Sequence, residues 1–332
     1  MVPTMSTIAV IGSGSWGAAI SIAAARHGAR VLLWGRNPET ISTLRSTRTH
    51  RQLGDVQLPE NVEPLTHDRA LTGADLVLWA VPTQHTRAVA RRLAPVFSAK
   101  TPLFSLSKGL EENTLSRVSQ VLQAETGMQA IGCLSGPSHA REVASGLPVC
   151  LVAAGAPEVC GTLTELLHGQ SIRLYTSTDV LGVELGGALK NVIAIAAGIT
   201  EGLGFGDNTK AAIITRGLAE IRRLGRAMGA NDATFAGMAG VGDLLTTCYS
   251  PHGRNRALGL AIARGENPLE ILHRSHTVAE GAWTSRAAIA LGRTYRVELP
   301  IASQVASVIW DATPVPRAME LLLARAPKEE DA

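Results

Sequence analysis

The chain has 332 residues, 18% of them charged, with a formal net charge of +3. That length suits two domains of the usual ~100–200 residues, each able to bury a core. The near-neutral balance and the lack of a dense Lys/Arg tract argue against nucleic-acid binding, since "VARRLAP" and "EIRRLGR" read as solvated helix faces. Cys133, Cys150, Cys160 and Cys248 form no Cys-x-x-Cys pair, as expected of reduced thiols in a cytoplasmic protein. His273 and His276 stand three apart with no carboxylate or cysteine to complete a ligand set, so no metal site is expected. The opening "MVPTMSTIAVIGSG" lacks the basic region of a signal peptide. No segment offers about 18 unbroken apolar residues, so no membrane span is expected either.

In chain order, "TIAVIGSGSWGAAISIAAARHGARVLLWGR" reads as strand, tight turn, helix, strand. "ADLVLWAVP" is a third buried strand, followed by the helical "TQHTRAVARRLAPVF"; "PLFSLS", "QAIGCLSG", "PVCLVAAG" and "IRLYTS" continue the alternation. This predicts an α/β domain, Rossmann-like, with a mostly parallel sheet covered on both faces. From about residue 180 every segment reads as helix, beginning with "VLGVELGGALKNVIAIAAGI". The expected division is a dinucleotide-binding domain over 1–180 and an all-α substrate-binding and catalytic domain over 181–332.

Gly12-Ser13-Gly14-Ser15-Trp16-Gly17 is a G-x-G-x-x-G string placed directly after a strand and opening a helix. Its glycines permit a tight turn and a close approach to a pyrophosphate, and the helix start offers free N–H groups. An NAD-selective site usually has an acid at the end of the second strand. Here that place reads "LLWGRNP", so Arg36 favours the 2′-phosphate of NADP(H), with NAD(H) left open.

Lys190 and Asn191 interrupt an otherwise small and aliphatic run. On a helix the same-face neighbours of Lys190 are Gly186, Gly187, Ala194 and Ala197, which clear space either for close backbone packing or for a ligand. A lysine shielded from water loses basicity, and a shift of about three units would suit it to accept a proton from an alcohol. Arg254 and Arg256 fall at a helix start, where cations are disfavoured unless an anion binds there, a substrate phosphate being the obvious candidate. Asp243 follows glycines and precedes an apolar run, as a helix cap or as a site residue able to hold a substrate hydroxyl or the Lys190 ammonium. Lys108 lies just past a strand, at the edge where open α/β sheets bind ligands.

Together "GSGSWG", "AVPTQ", "SLSKGLE", "LSGPSHARE", "GALKNVIAIAAGITEGLGFGDN", "GVGDLLTTC", "RNRALG" and "VAEG" resemble the bacterial-type NAD(P)-dependent glycerol-3-phosphate dehydrogenases over nearly the whole chain. The resemblance implies reversible reduction of dihydroxyacetone phosphate to sn-glycerol 3-phosphate for phospholipid synthesis, and a homodimer. It implies Lys190 as proton acceptor in the oxidative direction, assisted by Asp243. It also implies substrate contacts from Lys108, Gly136, Ser138, Gly253, Arg254 and Asn255, and cofactor contacts from Ser15, Trp16, Arg36, Lys108, Ala140, Arg254, Val278 and Glu280. Two positions depart from the commonest family pattern: Gly253 stands where a serine is usual, and His139 where many members have phenylalanine. A ketopantoate-type or other hydroxyacid reductase with a lysine base, and a non-catalytic dinucleotide sensor, are the rival readings.

Overall fold

The computed structural model describes residues 5–169, 171–274, 279–327 and 329. Its first half is an eight-stranded sheet made of β1 (Thr7–Ile11), β2 (Arg30–Trp34), β3 (Val62–Leu65), β4 (Leu76–Trp79), β5 (Leu103–Ser105), β6 (Ile131–Ser135), β7 (Val149–Ala154) and β8 (Ile172–Ser177). The order is β3-β2-β1-β4-β5-β6-β7-β8, and every pair is parallel except β6 with β7. The strands are short apolar runs because both faces are covered. On one face Ile8, Val10, Val31 and Leu33 pack with α1 (Ser15–Arg26). On the other, Ala9, Ile11, Leu32 and Trp79 join a core to which α3 (Thr83–Leu93) and α4 (Val118–Thr126) contribute. Strand β3 has no simple apolar pattern: its sequence is VEPL. Pro64 is tolerated because β3 is an edge strand with one side unpaired.

Helices α2 (Pro38–Thr47), α5 (Ala140–Ala144) and α6 (Pro157–Leu167) complete this half. After β8 the described residues hold helices only: α7 (Val180–Gly202), α8 (Asp207–Met228), α9 (Asp232–Ala236), a π-helical turn at Met238–Gly242, α10 (Asp243–Tyr249), α11 (Arg254–Ala263), α12 (Pro268–Arg274), α13 (Glu280–Tyr295), α14 (Pro300–Trp310) and α15 (Val315–Leu323).

Helix α7 is the axis of this second half. The Asp179 carboxylate caps it by accepting from Gly182 N at 2.9 Å, and it is buried without a break from Gly182 to Thr200. By length and mean hydropathy (1.6) it is apolar enough to cross a membrane, yet 89% of that window is buried inside the protein. A helix apolar all round is what the centre of a helical domain requires. Its closest neighbour is α11. A side chain at Gly198 would collide with the Arg256 carbonyl, and one at Gly259 with the Ile195 carbonyl. The two helices therefore touch backbone to backbone, which places the first turn of α11 firmly against α7.

Candidate active site

Strand order reverses between β1 and β4, so a crevice opens beyond the carboxyl ends of these strands. Four loops reach it: Gly12–Gly14 after β1, Val81–Thr83 after β4, Lys108 after β5 and Gly136–Ser138 after β6. Gly12 has φ +115°, and a Cβ there would stand 2.6 Å from the Ala80 carbonyl oxygen. Only glycine makes that turn. Gly17 packs directly on the Gly12 carbonyl, whereas Gly14 faces open space. No side chain caps α1, whose N-cap is Gly14, so its first N–H groups are free for an anion. Ser15 and Trp16 occupy the first turn, and Trp16 Nε1 is buried without a partner.

Gly35 lets Ser13 approach the end of β2, and Arg36 follows it, exposed and without a hydrogen bond or ion pair among the described residues. Glu280, the first residue of α13, accepts from Thr83 N at 2.9 Å and so ties the helical half to the sheet. Burial raises its carboxyl above the usual range, against the pull of the Thr83 N–H and of Arg254. Its second oxygen and the Thr83 hydroxyl are buried without partners. Ala140 opens α5, which packs on α1. The uncapped helix start and these unpartnered polar atoms, all in one crevice, fit a dinucleotide. Val278 and His276 lie outside the described residues. Among the described residues no group of three or more metal-ligating side chains occurs.

The substrate end is organised by one carboxylate. Asp243 is the first residue of α10 and only 1% exposed. Its carboxylate does not cap the helix. Lys190 Nζ donates to Oδ1 and also to Thr247 Oγ1 at 2.7 Å. Lys108 Nζ donates to Oδ2 at 2.8 Å and to the Gly136 carbonyl at 2.9 Å, and Ser135 Oγ lies 3.3 Å from Oδ2. Ser138 Oγ is 3.4 Å from Lys108 Nζ. Burial pushes the Lys190 ammonium down to about 7; Asp243 opposes this and Lys108 adds to it. Burial alone would raise the Asp243 carboxyl, but the Lys108 and Lys190 ammoniums outweigh it and hold it below its ordinary value.

The small residues around Lys190 have packing roles. A Cβ on Gly186 would stand 2.7 Å from the Ala239 carbonyl, and one on Gly187 2.9 Å from Ser135 Oγ. The cleared surface is thus filled by backbone and by the strand end that carries the site. Asn191 donates to the Lys108 carbonyl at 2.9 Å and accepts from Asn255 Nδ2 at 2.9 Å, while Asn255 Oδ1 accepts from Gly281 N at 2.9 Å. This amide chain links α7, α11 and α13 to the Lys108 loop and leaves one Nδ2 hydrogen of Asn255 for another partner.

The paired arginines separate. Arg256 is held by Glu201, with Nε to Oε2 at 2.9 Å, and is not available as a second anion-binding group. Arg254 makes no hydrogen bond or ion pair among the described residues. The residue is exposed overall, but desolvation around its guanidinium lowers its pKa, with Glu280 opposing. Gly253 is the N-cap of α11, and a Cβ there would stand 3.0 Å from the Thr247 carbonyl, so the missing serine relieves a close contact. His139, the N-cap of α5, keeps a buried Nε2 without a partner; burial lowers its pKa and the nearby Lys190 charge adds to this. Thr247 and Ser135 escaped the sequence reading. The i, i+4 spacing of Asp243 and Thr247 on one helix face was the signal for the first; Ser135 carries none, being one more residue of a buried strand.

The profiles for the N-terminus and C-terminus of NAD-dependent glycerol-3-phosphate dehydrogenase match residues 7–160 and 179–320. The chain is 46% identical over 334 residues to glycerol-3-phosphate dehydrogenase [NAD(P)+] 2 of Salinibacter ruber, covering 98% of this chain and 97% of that one. It is 44% identical to the glycerol-3-phosphate dehydrogenase [NAD(P)+] of Pelotomaculum thermopropionicum, covering 97% and 94%. The crystal structure of the glycerol-3-phosphate dehydrogenase of Coxiella burnetii superposes with a TM-score of 0.92 at 34% identity, covering 97% of this chain and all of that one. A ketopantoate reductase from Ralstonia eutropha, at 18% identity and a TM-score of 0.62, shares the fold alone. The chain belongs to the NAD-dependent glycerol-3-phosphate dehydrogenase family.

Proposed function

We propose that this oxidoreductase interconverts dihydroxyacetone phosphate and sn-glycerol 3-phosphate with Lys190 as its acid and base. The observation that carries the assignment is the buried Lys190 ammonium on Asp243, brought near neutrality by burial and by Lys108. A bound nicotinamide dinucleotide, NAD or NADP, supplies or accepts the hydride. In the reductive direction the Lys190 ammonium gives its proton to the carbonyl oxygen; in the oxidative direction the neutral amine takes the proton of the secondary hydroxyl. Asp243 keeps Lys190 pointed at that oxygen, and Thr247 fixes its second hydrogen. A lysine whose pKa lies near the working pH serves both directions.

Lys108, Ser138, the Gly136 loop, the backbone at Gly253, Arg254 and Asn255 are assigned to the substrate, with Arg254 as the cation for its phosphate. Gly12, Gly14, Ser15, Trp16 and Gly17 are assigned to the pyrophosphate, with Ala140, Val278 and Glu280 along the cofactor. Arg36 is assigned to the 2′-phosphate, making NADP(H) the preferred cofactor. A cytoplasmic homodimer is part of the same reading. The four unpaired cysteines agree with a reducing compartment, and sedimentation tests the dimer. The direct test follows nicotinamide absorbance with dihydroxyacetone phosphate and either NADPH or NADH. Substrate-dependent oxidation is expected, faster with NADPH; binding of NADPH without turnover would favour a dinucleotide sensor.

A further inference from the structure

On the side of α7 away from the sheet, helices α7, α8, α14 and α15 enclose a half-open cavity of about 700 Å³. Its size lies within the ~300–1,000 Å³ of small-molecule sites. Its walls are apolar, built from Ile199, Ile213, Val305, Val308, Met319 and Leu322. Leu323, 81% exposed, extends the apolar surface beyond the mouth. None of these residues takes part in the site around Asp243.

Two further features bear on the ligand's head group, the first on its charge and the second on its hydrogen bonding. Arg216, Arg223, Arg296 and Arg325 line the cavity against Glu220, Glu298 and Glu329, and Arg216 has a partner of its own. Burial depresses the Arg223 guanidinium, Glu220 opposes this, and Arg216, Arg325 and Arg226 add like-charge repulsion. Glu220 neutralises this cluster poorly: its oxygens accept the Ile301 and Ala302 N–H groups at the start of α14, and burial raises its carboxyl to about 7. Arg325 is matched by Glu298, at 2.6 Å, and Arg223 Nη2 donates to the Glu298 carbonyl at 3.3 Å, whereas the exposed Arg296 side chain has no polar partner among the described residues. The second feature is Gln304 Oε1, a cavity-lining acceptor that is buried without a hydrogen bond. An unpartnered amide oxygen of this kind costs free energy unless a ligand donor meets it.

We propose that this cavity binds a single-chain amphipath, its alkyl chain along Ile213, Val305 and Val308 and its anionic head at Arg223 and Arg296. Apolar walls supply the affinity for the chain, and the guanidiniums select a carboxylate or phosphate over an uncharged head. A fatty acid and an acyl or alkyl phosphate ester share this chemistry, and Gln304 favours a head that carries a hydroxyl.

The test is titration calorimetry of the full-length protein, below any micelle concentration, with decyl phosphate, decanoate and 1-decanol. We expect saturable one-to-one binding of the charged probes, at least about tenfold tighter than decanol, the ratio expected of one charge-assisted contact. The tighter of the two charged probes identifies the head group. Ala212→Trp, an exposed position on the wall, fills the cavity and should abolish binding with turnover unchanged; Met319→Trp does the same from the opposite helix. Arg223→Ala combined with Arg296→Ala should weaken the charged probes about tenfold and leave decanol unaffected. Equal affinity for decanol, binding undiminished by both tryptophans, or no binding by any probe would overturn the proposal. So would a dimer that either tryptophan converts to monomer, since the face would then belong to a second copy of the chain.

Discussion

Lys190 and Lys108 hold opposite oxygens of one carboxylate, that of Asp243, at the junction between the helical half and the sheet. Two ammoniums on one buried anion leave a surplus positive charge. It can be relieved by loss of a proton from the more buried lysine or by arrival of a phosphate. Lys190 is 5% exposed, while the Lys108 side chain is 18% exposed. The more enclosed Lys190 is the one that burial brings down to about 7, so the proton leaves from there.

The first prediction concerns pH. With Lys190 as the proposed base and its pKa lowered to about 7, turnover in glycerol 3-phosphate oxidation should rise as pH passes upward through about 7 and the amine becomes neutral, then level off. Reduction needs the ammonium, so its turnover should fall over the same interval. Lys108→Met removes a like charge and should move both midpoints to higher pH. Profiles of kcat in both directions check this; an oxidative profile flat from about pH 6 to 8 would exclude Lys190 as the titrating base.

Replacing the proposed base is the second test. Lys190→Ala should lower kcat by about 10²–10⁴, the range for removal of a general acid–base group, and leave the Kd for NADPH nearly unchanged. Turnover close to that of the parent would remove Lys190 from the chemistry.

Much of this was readable in the sequence where the signal is local. A charged residue inside an apolar run marked Lys190, and a glycine string between strand and helix marked the tight turn at Gly12. The sequence says less where pairing spans the chain. Lys108 and Asp243 are 135 residues apart, and nothing near either position reveals that they share a contact with Lys190. Arg256 looked like a partner of Arg254 because they are two apart, but Glu201, 55 residues away, claims it. Strand β3 was missed because Glu63 and Pro64 break its apolar pattern, which only an edge position tolerates. The reversed direction of β7 is likewise invisible, since its buried residues suit either orientation.

The contact between α7 and α11 gives a third prediction, on stability and binding together. Gly259→Ala sets a methyl against the Ile195 carbonyl, a backbone atom that cannot swing aside. Helix α11 must shift, at a cost of about 1–3 kcal/mol in unfolding free energy, as for other overpacked cores. Arg254 and Asn255 ride on its first turn, so KM for the phosphate substrate should rise more than kcat falls. Denaturant unfolding and steady-state kinetics check the two parts; a KM unaltered in a destabilised variant would mean that α11 does not position the phosphate site.

Arg36 gives the last. It follows β2 directly, beyond Gly35 and beside the Gly12–Ser13 turn, exposed and unpaired among the described residues. A guanidinium there attracts a 2′-phosphate, whereas a carboxylate would repel it and accept from the ribose hydroxyls of NAD(H) instead. Arg36→Glu should therefore raise KM for NADPH by at least about tenfold, the loss expected of one charge-assisted contact, and lower KM for NADH. The parent kcat at saturation should be retained, because Arg36 follows β2, three strands along the sheet from β5, whose end carries the Lys108 loop. Measuring kcat/KM for both cofactors in parent and variant decides the matter. An unchanged ratio would show that Arg36 does not read the 2′-phosphate; a fall in kcat with both cofactors would instead mean that the substitution disturbs the Gly12 turn.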